Sequence, residues 1–315
     1  MIGWLRAAAA ILVLILVTPP AMLAQWLAIR TRLFSDRMVP RLWHRLVIKL
    51  LGIRLQVRGR MHEARPLLLA SNHVSWTDIM VMSAAAPVNF IAKSEIAKWP
   101  IGGTFARLQR SVFVERERRH MSGAQASEVA ERLAAGDAIV LFAEGTTGDG
   151  NLLLPFKSTL FGAASLMVDS GRAESVTIQP TAVVYTRFHG MPMGRRERAR
   201  ITWIGDTPLL PHLMRLLKEG AVDVEVHFGE PVEYRKSASR KAVAQEVERR
   251  ACAEVDRDRR ARAVLGGPIA LRFDGPRPRW LADGLLGALA PLDYGPRAME
   301  LDPRERTLRG GNVAF

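Results

Sequence analysis

His73 and Asp78 stand with four residues between them in Asn72-His73-Val74-Ser75-Trp76-Thr77-Asp78, directly after the apolar run Leu67-Leu68-Leu69-Ala70. That run, opened by Pro66 and closed by Ser71-Asn72, reads as a short strand. Residues 76–85 have helical composition, so Asp78 falls in the first turns of a helix and can meet an imidazole at the strand's carboxyl end. An imidazole titrates near neutrality and can take a proton from a hydroxyl and later return one to a leaving group. A carboxylate behind the ring would fix its tautomer and stabilise the imidazolium as it forms. In isolation the same two residues equally suit a helix-entry aspartate and a loop histidine bonded to backbone, so the neighbouring elements decide.

A second strand of the same form follows. Residues 138–143 are a compact apolar run, and Glu144-Gly145-Thr146-Thr147-Gly148-Asp149-Gly150-Asn151 is a polar, glycine-rich turn. Backbone N–H groups and hydroxyls in such a turn can approach an anionic or polyhydroxy head group. It lacks the Lys-Ser/Thr ending of a nucleotide-binding loop, and an ordinary surface turn has the same composition. Between the two elements, the strand-like run from Ser111 ends at Glu115-Arg116, where the arginine offers a planar fork of donors to a phosphate or carboxylate. Lys93 follows another apolar run, 88–92.

Taken in order, these stretches resemble the glycerolipid acyltransferases of the 1-acylglycerol-3-phosphate acyltransferase type. The first block of that family is matched in full by Asn72, His73 and Asp78. The second is matched by Phe113, Val114, Glu115 and Arg116, with Arg110 where the family usually has glycine. The third, commonly Phe-Pro-Glu-Gly-Thr-Arg, is here Phe142-Ala143-Glu144-Gly145-Thr146-Thr147, which keeps the Glu-Gly-Thr core and lacks the proline and arginine. The fourth, an apolar strand around a proline, is met by residues 176–183 around Pro180. Leu154-Pro155-Phe156-Lys157-Ser158 and Tyr185-Thr186-Arg187-Phe188-His189-Gly190 are similar to the branch that acylates lyso-ornithine lipid.

The resemblance implies His73 as general base and Asp78 as its orienting partner, in direct transfer from an acyl thioester to a lysolipid hydroxyl. Asn72, Lys93, Arg116, Glu144, Gly145 and Thr146 would then bind substrate. The missing arginine of the third block removes a bidentate phosphate partner and argues against a phosphate-bearing acceptor. The donor would be acyl carrier protein or coenzyme A as its acyl thioester, a co-substrate, with no other cofactor. No oxyanion donor is identifiable.

From Ala7 to Ile29 no charge occurs, enough apolar chain to cross a bilayer core, but Pro19-Pro20 interrupts it. The expectation is either one kinked span or two short helices dipping into one leaflet. Basic residues crowd after this run, which places the following domain on the cytoplasmic side of the inner membrane. Residues 41–51 interleave basic and apolar side chains as an interfacial helix does, although a helix packed on the domain would read alike. The net charge of +14 suits anionic lipid, an acidic protein or nucleic acid. Nucleic acid would not require His73 beside Asp78; a noncatalytic lipid-binding protein is the other alternative. The lone Cys252 gives no disulfide, and no histidine spacing suggests a metal.

Apolar strands alternate with helical stretches at 76–85, 127–135 and 157–170, followed by strands near Val176, Arg200 and Val222 and a basic helix over 237–262. This predicts a layered α/β acyltransferase domain with a mixed or largely parallel sheet, in which chemistry gathers beyond the carboxyl ends of strands. The boundaries expected are 1–59 for the membrane anchor and interfacial helix, 60–263 for the acyltransferase domain, and 264–315 for a Gly/Pro/Arg-rich, loosely ordered tail.

Overall fold

The computed structural model describes residues 1–114, 123–205, 207–265, 301–302 and 307–308. Met1–Val255 form one compact unit and Asp256–Phe315 a second. Described residues of the second are the last turns of a helix and a two-residue antiparallel ladder of Leu301–Asp302 with Thr307–Leu308. Most of the expected tail lies outside the described residues.

The first unit is built on one mixed sheet. Its strands are β1 (Ile53–Arg58), β2 (Leu67–Ser71), β3 (Asn89–Lys93), β4 (Val112–Val114), β5 (Ala138–Phe142), β6 (Ser175–Phe188), β7 (Met191–Pro192), β8 (Val222–Phe228) and β9 (Val232–Arg235), in the order β1-β8-β6-β2-β5-β3-β4. From β6 to β4 every neighbour is parallel; β7, β8 and β9 run antiparallel to β6. Every residue of β2 and β5 is buried, which is why both read as continuous apolar runs without alternation. β1 precedes residue 60 yet pairs with β8 as an edge strand, so the sheet begins inside the segment assigned to the anchor.

Nine helices accompany it among the described residues: α1 (Ile2–Thr31), α2 (Met38–Leu50), α3 (Thr77–Ala85), α4 (Gly102–Leu108), α5 (Gly123–Ala134), α6 (Gly162–Asp169), α7 (Arg195–Arg198), α8 (Leu209–Glu219) and α9 (Arg240–Leu265). One apolar cluster joins α1, α2, α3 and α8 to one face of the sheet; a second joins α5, α6 and α9 to the other. Burial on both faces is what fixes the register of the central strands.

The first two helices fall within the alternatives the sequence left open. α1 runs without interruption through Pro19 and Pro20; the prolines remove helical N–H donors, but the helix continues across them. α2 is packed on the domain, with His44, Val47 and Ile48 buried. Two of its basic side chains turn inward, Arg41 to the Ala85 carbonyl and Arg45 to that of Ala84, each at 3.1 Å. They cap the C-terminal end of α3, where the helix dipole favours positive charge.

The strand expected near Arg200 is absent. Residues 199–201 form a turn, with the Arg200 N–H on the Glu197 carbonyl and that of Ile201 on Arg198.

Candidate active site

The loops after β2 and β5 meet because their strands are parallel neighbours in register. Ser71 lies opposite Phe142, and the Ala143 N–H continues the pairing onto the Ser71 carbonyl at 2.9 Å. On the other side of β2, Asn72 holds β6. Its amide nitrogen donates to the Val183 carbonyl at 3.0 Å, and its amide oxygen accepts the Val183 N–H at 2.8 Å. Expected as a substrate ligand, this buried amide is engaged at both ends with backbone and fixes where His73 emerges.

The His73 and Asp78 side chains meet: Nδ1 lies 2.8 Å from Oδ2. The carboxylate is fully buried, while the imidazole side chain keeps 12% exposure. Oδ2 also accepts the Val74 N–H at 2.6 Å and the Ser75 N–H at 2.9 Å, and Oδ1 accepts the Tyr185 hydroxyl at 2.7 Å. A carboxylate that is already an acceptor for three donors must accept from the ring too, so Nδ1 carries the proton and Nε2 presents a lone pair. Phe142 stacks on the ring, centroids 3.9 Å apart, and holds its plane. A buried, partnered carboxylate behind a partly exposed imidazole is the arrangement that activates a hydroxyl.

Glu144 lies closer to His73 than its loop position suggests, and it faces inward. Oε2 accepts the His73 N–H at 3.1 Å and Oε1 the Leu154 N–H at 2.9 Å, with the residue only 2% exposed. The carboxyl thus straps the two loops together. Burial pushes it up to about 7, against the pull of the two N–H bonds; nearby Asp78 and Asp149 raise it further. Because the folded value is raised, the stability it contributes is complete below the ordinary value of 4.5 and is lost as pH rises through 7. In detergent, denaturant melts from pH 4.5 to 8 should therefore show the wild type losing roughly 3 kcal/mol relative to Glu144→Gln. Parallel pH dependences would mean that Glu144 is as easily ionised folded as unfolded.

Gly145 adopts φ +72°, and a side chain there would press on Lys157, whose Nζ lies 3.0 Å from the Cβ position. Thr146 is exposed at the loop tip. Lys93, at the end of β3, forms a half-exposed pair with Glu95 at 3.0 Å, of a kind worth at most about 1 kcal/mol. Arg116 lies outside the described residues. The sequence reading did not single out Tyr185 or Phe142 for the site. Tyr185 is the one polar aromatic in the buried run 182–185 of β6, a signal that could have marked it.

Fold and site together define a layered α/β protein in which an aspartate-supported histidine stands just beyond the carboxyl end of a central parallel strand. Comparison with known proteins narrows this. Residues 53–184 match the family model described as Acyltransferase. The lyso-ornithine lipid O-acyltransferase of Brucella abortus is 49% identical over 79% of this chain and 94% of its own length. The enzyme of the same name from Rhizobium meliloti is 48% identical over 78% and 84%. Among solved structures, the 1-acyl-sn-glycerophosphate acyltransferase of Thermotoga maritima shares the fold, with TM-score 0.55 and 21% identity over 81% of this chain and 97% of that one. The chain belongs to this acyltransferase family.

Proposed function

We propose that the chain is a membrane-bound O-acyltransferase that moves a fatty acyl group from a thioester to the free hydroxyl of a lysolipid, with lyso-ornithine lipid as preferred acceptor. The observation that carries this is the 2.8 Å contact between His73 Nδ1 and a fully buried Asp78. Nε2 takes the hydroxyl proton as the oxygen attacks the thioester carbonyl. The new C–O bond forms, the C–S bond breaks, and the proton passes to the departing thiolate. Asp78 keeps its charge throughout and stabilises the imidazolium. No acyl-enzyme is needed. Asn72 and Glu144 hold the loops, while Gly145, Thr146, Lys93 and Arg116 remain the head-group candidates. The donor thiol is that of acyl carrier protein or coenzyme A; the +14 charge favours an acidic carrier.

Acceptor preference rests on the two relatives named above and on Thr147, which stands where the family resemblance expects a phosphate-gripping arginine. An ornithine head group carries an ammonium and a carboxylate in place of phosphate, so that loss is tolerable. The second reading, 1-acylglycerol-3-phosphate as acceptor, is favoured by the 1-acyl-sn-glycerol-3-phosphate acyltransferase of Neisseria meningitidis, 41% identical over 40% of this chain and 48% of its own length.

Membrane attachment falls to α1. Its 30 residues extend about 45 Å, against a hydrocarbon core of about 30 Å. Both ends are fastened to the domain: Arg6 donates to the Leu217 carbonyl at 2.7 Å and the Leu50 carbonyl at 3.0 Å, and Gln25 to those of Asp36 at 2.7 Å and Leu108 at 2.8 Å. A helix tied at both ends to one body lies along it and enters a single leaflet, here the cytoplasmic one, its exposed Leu5, Leu12, Ile15 and Leu16 facing lipid.

One vesicle experiment addresses acceptor and attachment. The full chain is offered lyso-ornithine lipid or 1-acylglycerol-3-phosphate with each thioester, and labels are placed at either end of α1. Faster acylation of lyso-ornithine lipid, with both ends labelled from the same face, is expected. Exclusive use of the phosphate acceptor defeats the first claim; labelling from opposite faces defeats the second.

A further inference from the structure

The two oxygens of Asp78 have different surroundings. Oδ2 takes the ring proton of His73 and two backbone N–H groups of its own loop, so its partners are local. Oδ1 takes the hydroxyl of Tyr185, which reaches it from β6, 107 residues further along the chain. Tyr185 is itself held: its phenol oxygen lies 2.6 Å from Thr77 Oγ1. Because the phenol proton is committed to the carboxylate, the Thr77 hydroxyl donates to the phenol. Thr77 is fully buried and Tyr185 4% exposed, so both lie behind the His73 ring and out of the open surface. Burial, reinforced by the Asp78 charge, pushes the Tyr185 phenol well upward and keeps it a donor.

We propose that Thr77 and Tyr185 are positioning residues for the acyl transfer: the chain Thr77 to Tyr185 to Asp78 sets how tightly Asp78 and His73 hold their shared proton, and so the pH at which the imidazole becomes a base. This rests on the assignment of His73 as base made above. The physical reason is the low dielectric around the carboxylate, where a single donor redistributes much of its charge. Without the Tyr185 hydroxyl, Oδ1 has no donor. Its charge then draws more strongly on the imidazolium, or the carboxylate becomes easier to protonate itself. In either distribution the pair keeps its proton to higher pH, so the direction does not depend on which member is credited with it.

The test is the pH dependence of kcat/KM for the full chain in vesicles containing a lysolipid acceptor and an acyl thioester. Tyr185→Phe keeps the ring and removes the hydroxyl. Its acid limb should move to higher pH by about half to one unit. Thr77→Val should move the limb the same way by less, and Thr77→Ser, which keeps the donor, should restore it. A residue that serves only packing would lower the amount of folded enzyme without moving the limb. Acid limbs of Tyr185→Phe and Thr77→Val that coincide with wild type, whatever their plateaus, overturn the proposal. Should Tyr185→Phe fail to fold, the Thr77→Val and Thr77→Ser pair decides alone. Failure of the underlying assignment looks different: His73→Ala would then retain wild-type rates.

Discussion

Replacing His73 with alanine should lower kcat by roughly 10³-fold to 10⁴-fold, the upper part of what a positioned general base supplies, equivalent to about 4 to 5.5 kcal/mol of barrier. The loss should fall on kcat, because the imidazole acts when the hydroxyl proton moves and contributes little to holding the acceptor. The fold should survive the change. Asp78 keeps the Val74 and Ser75 N–H groups and the Tyr185 hydroxyl, so the buried carboxylate is not left bare. The Asn72 strap to Val183 is independent of the ring. Initial rates with a lysolipid and an acyl thioester, alongside circular dichroism to show the fold intact, measure the effect. A folded His73→Ala protein within tenfold of the wild-type rate would remove the imidazole from the chemistry.

The parts of this site that could be read along the chain are those fixed by local pattern. β2 and β5 announce themselves as short, unbroken apolar runs bounded by polar residues, and their parallel pairing carries His73 and Glu144 to the same carboxyl end of the sheet. Asp78 follows from the helical composition after Trp76, since the first turn of α3 begins at Thr77. What the chain conceals is which partner a polar group finds across the fold. Glu144 in a glycine-rich turn reads as a ligand for a head group, yet the N–H groups of His73 and Leu154 take both oxygens. A sequence carries no mark of where backbone donors point. Tyr185 is hidden for a related reason: its bond to Asp78 joins residues 107 apart and depends on the register of β6 against β2.

The same limit applies to the outline of the fold. The segment near Arg200 reads as a strand, but its backbone donors are taken locally, the Arg200 N–H by the Glu197 carbonyl and that of Ile201 by the Arg198 carbonyl. The segment instead settles on the site, with the Trp203 N–H on the Val74 carbonyl at 3.0 Å. Pro19-Pro20 leaves one kinked span and two short helices both open when the segment is considered alone, and the structure has a single helix there. Packed beside α2, where the Trp43 indole N–H donates to Thr18 Oγ1 at 3.1 Å just before the prolines, α1 makes side-chain contacts that local propensity does not include.

Changing Asp78 to asparagine should cost roughly 10² to 10³ in kcat while leaving the loop in place, a separation of charge from geometry that alanine could not achieve. The Val74 and Ser75 N–H groups, at 2.6 and 2.9 Å, require an oxygen at the Oδ2 position. They therefore orient the amide so that its carbonyl oxygen still faces His73 Nδ1, and the ring keeps its tautomer. The amide nitrogen then takes the Oδ1 position, where the Tyr185 oxygen can accept from it. Every buried group remains paired, so stability should fall by no more than about 1 to 2 kcal/mol. Lost is the negative charge that offsets the imidazolium in the transition state, an interaction worth most in a water-free site. Alanine would leave the two N–H groups without an acceptor and unsettle the loop as well as the chemistry. Comparing kcat and thermal midpoints of Asp78→Asn and Asp78→Ala separates the two contributions. An asparagine variant that is fully active would show that the Asp78 charge is dispensable and that its role is to shape the turn.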